Sequence, residues 1–150
     1  MNVLGFNLLK GEIRYSLLSG TKSTPQLLEK DKRSVIAESS PVLMDWFEST
    51  FEGIIEKTQP DRIAYRLSLE PKKAQIQYLT FPYAILNLIA HRRKIEIFEY
   101  VSLNFVATKF GQPKNVNVYD YCTQVFGERP PHWDKNQQYS VLAAWLTLDN

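Results

Sequence analysis

Apolar residues along this chain recur with two periods, and the switches between them mark out its elements. Residues 3–9, VLGFNLL, are apolar apart from Asn7, and 12–18 form a second strand-like run after Lys10-Gly11. This pattern predicts a β-hairpin with Gly11 in the tight turn. Residues 19–33 are polar and contain Pro25, which reads as a connection, and SVIA at 34–37 reads as a short third strand. A cap follows, with Ser40 at the N-cap and Pro41 at the first helical position. Leu43, Trp46, Phe47, Phe51, Ile54 and Ile55 then keep helical spacing until Pro60, predicting a helix over 41–57. Residues 62–69 alternate, with Ile63, Tyr65, Leu67 and Leu69 on one side and Ala64, Arg66 and Ser68 on the other. A helical stretch over 72–93 is kinked or broken at Pro82, and 94–100 alternates again as a strand. Helices closed by Gly111 and Gly127 are expected over 102–111 and 113–127, with a last helix over 137–148. The order β-β-β-α-β-α-β-α-α-α predicts an α/β fold: a five-stranded mixed sheet with helices on both faces.

The chain has 150 residues, which suits one domain spanning 1–150. Eighteen basic residues against 16 acidic ones give a net charge of +2, too balanced for bulk charge to identify a nucleic-acid binder. Any basic surface must come from local clustering. Cys122 is the single cysteine, so an internal disulfide and a cysteine zinc site are ruled out. His91 and His132 lack ligand-like spacing. Cys122 reads as a packing residue, and Trp133 as the anchor of the loop RPPHWD. No apolar run is long enough to span a membrane, and the N-terminus lacks a secretory pattern. The expectation is a cytoplasmic protein with no membrane partner and no cofactor. Charge in HRRK at 91–94 is explained by the end of a helix. Lys72, Lys73 and Lys109 are left as cations near strand ends.

At those strand ends the chain resembles the RNase H-like fold, and more narrowly its RuvC branch, the Holliday-junction resolvases. NVLGFN stands where that family ends its first strand with a catalytic Asp. PDRIAYR stands where it ends a strand with a catalytic Glu. KIEIFEYVSLNFVATKFG is similar to the family's last strand with its lysine-bearing segment, and Lys109 matches that lysine. DKNQQYSVLAAWL is similar to the closing helix, where the family carries two acids one turn apart. The resemblance covers nearly the whole chain. It places Asn7, Arg66, Gln137 and Ser140 where the acids belong, and none of the four is a carboxylate.

That replacement matters physically. Two-metal nucleases hold divalent ions about 3.5–4 Å apart with bridging carboxylates, and magnesium demands charged oxygen ligands. Asn7 and Ser140 bring neutral oxygens. A guanidinium about 4 Å from a unit cation costs about 4 kcal/mol at an effective dielectric near 20, and roughly twice that beside a divalent ion. The resemblance therefore implies a degenerate pocket with no catalytic residues and no metal. Arg66 can then fork onto a phosphate, with Lys72, Lys73 and Lys109 lining the same edge. The bland alternatives are that Arg66 pairs with Glu48 or Glu52, that Asn7 satisfies backbone groups, that Ser140 permits close packing, that Gln137 is solvated, and that Phe81 and Tyr83 are core. The leading expectation is a non-cleaving protein that binds DNA or RNA. One alternative is a protein-interaction scaffold, as a homodimer or with another protein. A further one is a nuclease whose acids have moved to Glu70, Asp134 or Glu12.

Overall fold

The computed structural model describes residues 1–36 and 39–150. Five strands form one mixed sheet in the order β3-β2-β1-β4-β5. β1 (Asn2–Leu9) and β2 (Glu12–Gly20) are the expected hairpin, pairing antiparallel from Leu9↔Glu12 to Asn2↔Ser19. β4 (Arg62–Arg66) lies parallel to β1, and β5 (Glu96–Tyr100) parallel to β4. α1 (Ser40–Thr58) and α3 (Phe81–Arg93) make the two crossovers.

The third strand lies elsewhere than expected. β3 runs Pro25–Ser34, through the segment read as a connection, and it ends where the 34–37 strand should begin. Ala37 of that expected strand lies outside the described residues. The polarity of PQLLEKDKRS is what an edge strand needs, because charged side chains and a leading proline blunt an open edge. Leu28 is the extra residue of a bulge, since Leu17 pairs with Glu29 and Leu18 with Leu27.

Four helical expectations are also refined. Ser39, one residue before Ser40, occupies the N-cap position of α1. The 72–93 stretch splits into a 3₁₀ turn at Lys73–Gln75, the single-turn α2 (Ile76–Leu79), and α3, which takes Pro82 into its first turn, where a missing N–H does no harm. Two 3₁₀ turns, Ser102–Asn104 and Ala107–Phe110, replace the helix expected over 102–111. Only Val118–Phe126 of 113–127 is helical (α4), because Asn117 caps it, its Oδ1 accepting from the N–H groups of Tyr119 and Asp120. α5 spans Lys135–Thr147.

Strand alternation divides the core. Leu4, Phe6, Leu8, Ile13, Tyr15, Ile63 and Tyr65 pack with α1 and α3 on one face. Val3, Leu18 and Ala64 pack with α4 and α5 on the other. α5 is apolar and buried nearly all round because it lies between the sheet and α4. It approaches the sheet very closely: a Cβ built on Gly5 would sit 2.0 Å from the Ser140 carbonyl oxygen and 3.0 Å from the Ala144 Cβ. Gly5→Ala is therefore expected to lift α5 and cost about 3 kcal/mol, the upper end of overpacking penalties, measured by urea denaturation.

Candidate functional site

The α5 face of the sheet carries one polar row. Register places Lys32, Arg14, Asn7, Arg66 and Tyr100 side by side on β3, β2, β1, β4 and β5. The row lies where β1 and β4 end, and the first turns of α5 cover it. Asn7 is fully buried, Arg14 is 4% exposed, and Arg66 is half-buried. Polar groups so placed need partners, and the two arginines find different kinds.

Arg14 is neutralised. Its Nη1 and Nη2 donate to Asp134 Oδ1 and Oδ2 at 3.0 and 3.3 Å, and its Nε donates to Glu12 Oε2 at 2.6 Å. Lys32 Nζ lies 3.6 Å from the other Glu12 oxygen. Asp134 also caps α5 by accepting from the Gln137 N–H at 2.9 Å. Burial opposes ionisation of Asp134, but the Gln137 N–H and the Arg14 guanidinium outweigh it and hold the carboxyl below its usual range. Glu12 is likewise held low, burial being outweighed by Arg14 and Lys32.

Arg66 is held without being neutralised. Its Nη1 donates to Asn7 Oδ1 and to Ser68 Oγ, each at 3.2 Å, and its guanidinium carbon lies 4.0 Å from the centre of the Tyr139 ring. Asn7 Nδ2 donates to the Asn136 carbonyl at 3.2 Å. Among the described residues no carboxylate pairs with Arg66, and its buried Nε has no acceptor. An unmet buried donor costs roughly 1–3 kcal/mol. The Nε edge of a guanidinium is one that meets two oxygens of a carboxylate or phosphate.

Gln137 and Ser140 turn towards β2. Gln137 Nε2 donates to the Tyr15 carbonyl at 2.8 Å and to Ser16 Oγ at 2.9 Å, and the Ser16 and Ser140 hydroxyls are 2.7 Å apart. Gln137, 1% exposed, is therefore a buried linker and not a solvated residue. The close approach at Ser140 is made by its backbone carbonyl against Gly5, whose missing Cβ leaves the room. Among the described residues no side-chain hydrogen bond joins this pair to Asn7 and Arg66. The Glu48 or Glu52 pairing fails because α1 lies on the opposite face, where Glu52 is taken by Arg93.

Lys72 and Lys73 are exposed in the segment that leaves β4 for α2. Lys109 is not brought to this end. It lines a hollow with Lys22, Gly111 and Tyr121, beside Phe110, whose ring packs 4.7 Å from Trp145 at the far end of α5. Tyr83 is core, as expected, whereas Phe81 is 51% exposed. Trp133 anchors its loop through Nε1 to Thr123 Oγ1 at 2.9 Å. Sequence reasoning missed Arg14, Asn136 and Tyr139. Arg14 was findable, since a two-residue turn at Lys10-Gly11 places position 14 opposite position 7.

A divalent ion does not fit this row. The one carbonyl oxygen Asn7 offers already accepts from a guanidinium, and Arg14 stands on its other side. Among the described residues no three His, Cys, Asp or Glu side chains converge. Asp134 is committed to Arg14, and Glu70 is exposed. The arrangement suits an anion.

No protein-family model matches the sequence, and none of the curated proteins does. Solved structures do. The chain is similar to T. thermophilus RuvC in complex with a Holliday junction substrate, with a TM-score of 0.75 at 10% identity over 97% of this chain and 91% of that one. The yeast mitochondrial Holliday junction resolvase Ydc2 gives 0.72 at 14% identity over 96% and 76%. The fowlpox virus Holliday junction resolvase gives 0.55 at 10% over 97% and 93%. The fold is RNase H-like, of RuvC type.

The Arg14 cluster sets an acid limit on stability. Both folded carboxyls titrate below their ordinary values of 3.8 and 4.5, so their stabilisation is complete above that range and is lost as pH falls through it. Asp134→Ala is expected to cost about 2–3 kcal/mol at neutral pH through the lost cap and the half-paired Arg14. Urea denaturation from pH 7 down to 3 should show wild type weakening below about pH 4.5, with a shallower slope in the variant.

Proposed function

We propose that this chain is a catalytically degenerate RuvC-type domain that holds DNA or RNA at the end of β1 and β4 without cutting it. The observation that carries the reading is Arg66, a cation held by an amide and a tyrosine face, with its Nε left unpaired. A phosphate group brings the negative charge that Arg66 lacks, meeting it at Nη2, which has no hydrogen-bond partner among the described residues and is not shut off from solvent as Nε is. Lys72 and Lys73 stand exposed in the segment that leaves β4 six and seven residues after Arg66. One similar structure carries a Holliday junction substrate; for this chain the ligand class is the phosphodiester backbone, which both nucleic acids share.

Loss of cutting follows from the same geometry. A nuclease of this fold needs converging carboxylates, and the four positions carry Asn7, Arg66, Gln137 and Ser140, each engaged in the hydrogen bonds described above. A relocated acid site would require Asp134 to leave Arg14, stranding a buried guanidinium. A protein-interaction role is the second reading. It draws on α3, where Phe81 and Leu88 stand exposed seven residues apart on one side of the helix.

Fluorescence anisotropy with labelled junction, duplex and single-stranded oligonucleotides tests the proposal. Binding should weaken steeply with salt, because phosphate contacts release counterions. Arg66→Ala should lower affinity about tenfold at low salt and reduce the salt slope by about one. None of these substrates should be cut in magnesium or manganese. Unchanged affinity in the variant removes Arg66 from the proposal, and metal-dependent cutting ends the degenerate reading.

A further inference from the structure

A second cation, Lys135, shares the Tyr139 ring with Arg66. Lys135, the first residue of α5, is exposed, with Nζ 4.6 Å from the centre of the Tyr119 ring and 5.8 Å from that of Tyr139. The two rings meet edge to face at 5.9 Å. Tyr139 is the ring over which Arg66 lies. Three elements thus converge on one aromatic pair: β4 through Arg66, α4 through Tyr119, and α5 through Lys135 and Tyr139.

These two cations differ from their neighbours in what holds them. Arg14 and Lys32 are neutralised by Glu12 and Asp134. Among the described residues Arg66 and Lys135 have no carboxylate within ion-pair distance, and both rest on tyrosine faces. A ring attracts a cation through its quadrupole and leaves the unit charge in place. Two uncancelled positive charges around one ring repel each other, and an anion touching both removes that repulsion.

We infer that Lys135, seated on Tyr119 and Tyr139, is the second half of the anion site, so that a phosphate-bearing ligand is gripped by Arg66 and Lys135 together. The inference rests on the proposed function for its natural ligand, a nucleic-acid backbone. The two are separated by using a small probe.

Inorganic pyrophosphate is titrated into the full chain while the ring resonances of Tyr119 and Tyr139 are followed by NMR. The expected result is saturable movement of both rings in wild type, with affinity lowered about tenfold in Lys135→Gln and in Arg66→Gln, the loss of one charged hydrogen bond each. Lys135 is exposed, so its variant should keep the wild-type spectrum elsewhere. An unsaturable response in wild type, or a Lys135→Gln titration matching wild type, overturns the inference. If Lys135→Gln also leaves oligonucleotide affinity and salt slope unchanged while Arg66→Ala lowers both, the inference fails and the proposed function stands. If pyrophosphate needs both cations and no oligonucleotide binds at low salt, the anion site stands and the proposed function fails.

Discussion

The close approach of α5 to β1 sets the rest of this molecule in place. Gly5 has no side chain, so the Ser140 carbonyl can lie where a Cβ would otherwise be. That contact lowers the first turns of the helix into the sheet. Gln137 then reaches the Tyr15 carbonyl, Asn136 reaches Asn7, and Tyr139 comes beneath the guanidinium of Arg66. A helix held farther out would leave the row from Lys32 to Tyr100 open to water, and its cations would be solvated surface charges. The packing thus decides which polar groups are dry, and dryness decides how strongly each of them acts.

Much of this was legible in the sequence. A two-residue turn fixes hairpin register, the apolar stripe of 43–55 fixes α1, and the alternation of RIAYR fixes the face on which Arg66 lies. What was hidden was hidden for identifiable reasons. β3 is polar because it is an edge, and an edge strand looks like a loop when judged by hydrophobicity. Gln137 looks solvated because a helix buried on every side leaves no polar stripe to set it apart. Phe81 looks like core, yet the break between α2 and α3 at Thr80 makes it the first residue of α3 and leaves it exposed. Lys109 follows the last strand closely in sequence, but the two 3₁₀ turns carry it to the far end of α5. That Asn7 and Arg66 belong to one pocket was implied by the resemblance to the RuvC branch, since a crossover connection leaves the register of two parallel strands open. The contact between the two residues needed the β1–β4 register, which pairs Asn7 with Arg66, whereas Arg14 on the other side followed from the hairpin turn.

The two arginines beside Asn7 divide their labour through their partners. Arg14 binds two carboxylates that come from β2 itself and from the cap of α5, so its charge is spent inside the molecule and ties helix to sheet. Among the described residues the partners of Arg66 are neutral, an amide, a hydroxyl and a ring, so its charge is left uncancelled. The difference does not lie in burial alone, since both side chains are removed from bulk water to some degree. It lies in whether an acid stands within reach.

Seen this way, asparagine at position 7 has a role that aspartate could not fill. An aspartate there would sit within hydrogen-bond distance of the same Nη1 and, between two guanidinium groups, would stay ionised. It would form a buried ion pair with Arg66 and cancel its charge. It would also lose the Nδ2 donor, setting a carboxylate oxygen against the Asn136 carbonyl that now accepts from it. Asparagine avoids both effects: its oxygen orients Arg66 without neutralising it, and its nitrogen satisfies the helix. The neutral amide at position 7 thus orients the arginine beside it while leaving its charge uncancelled.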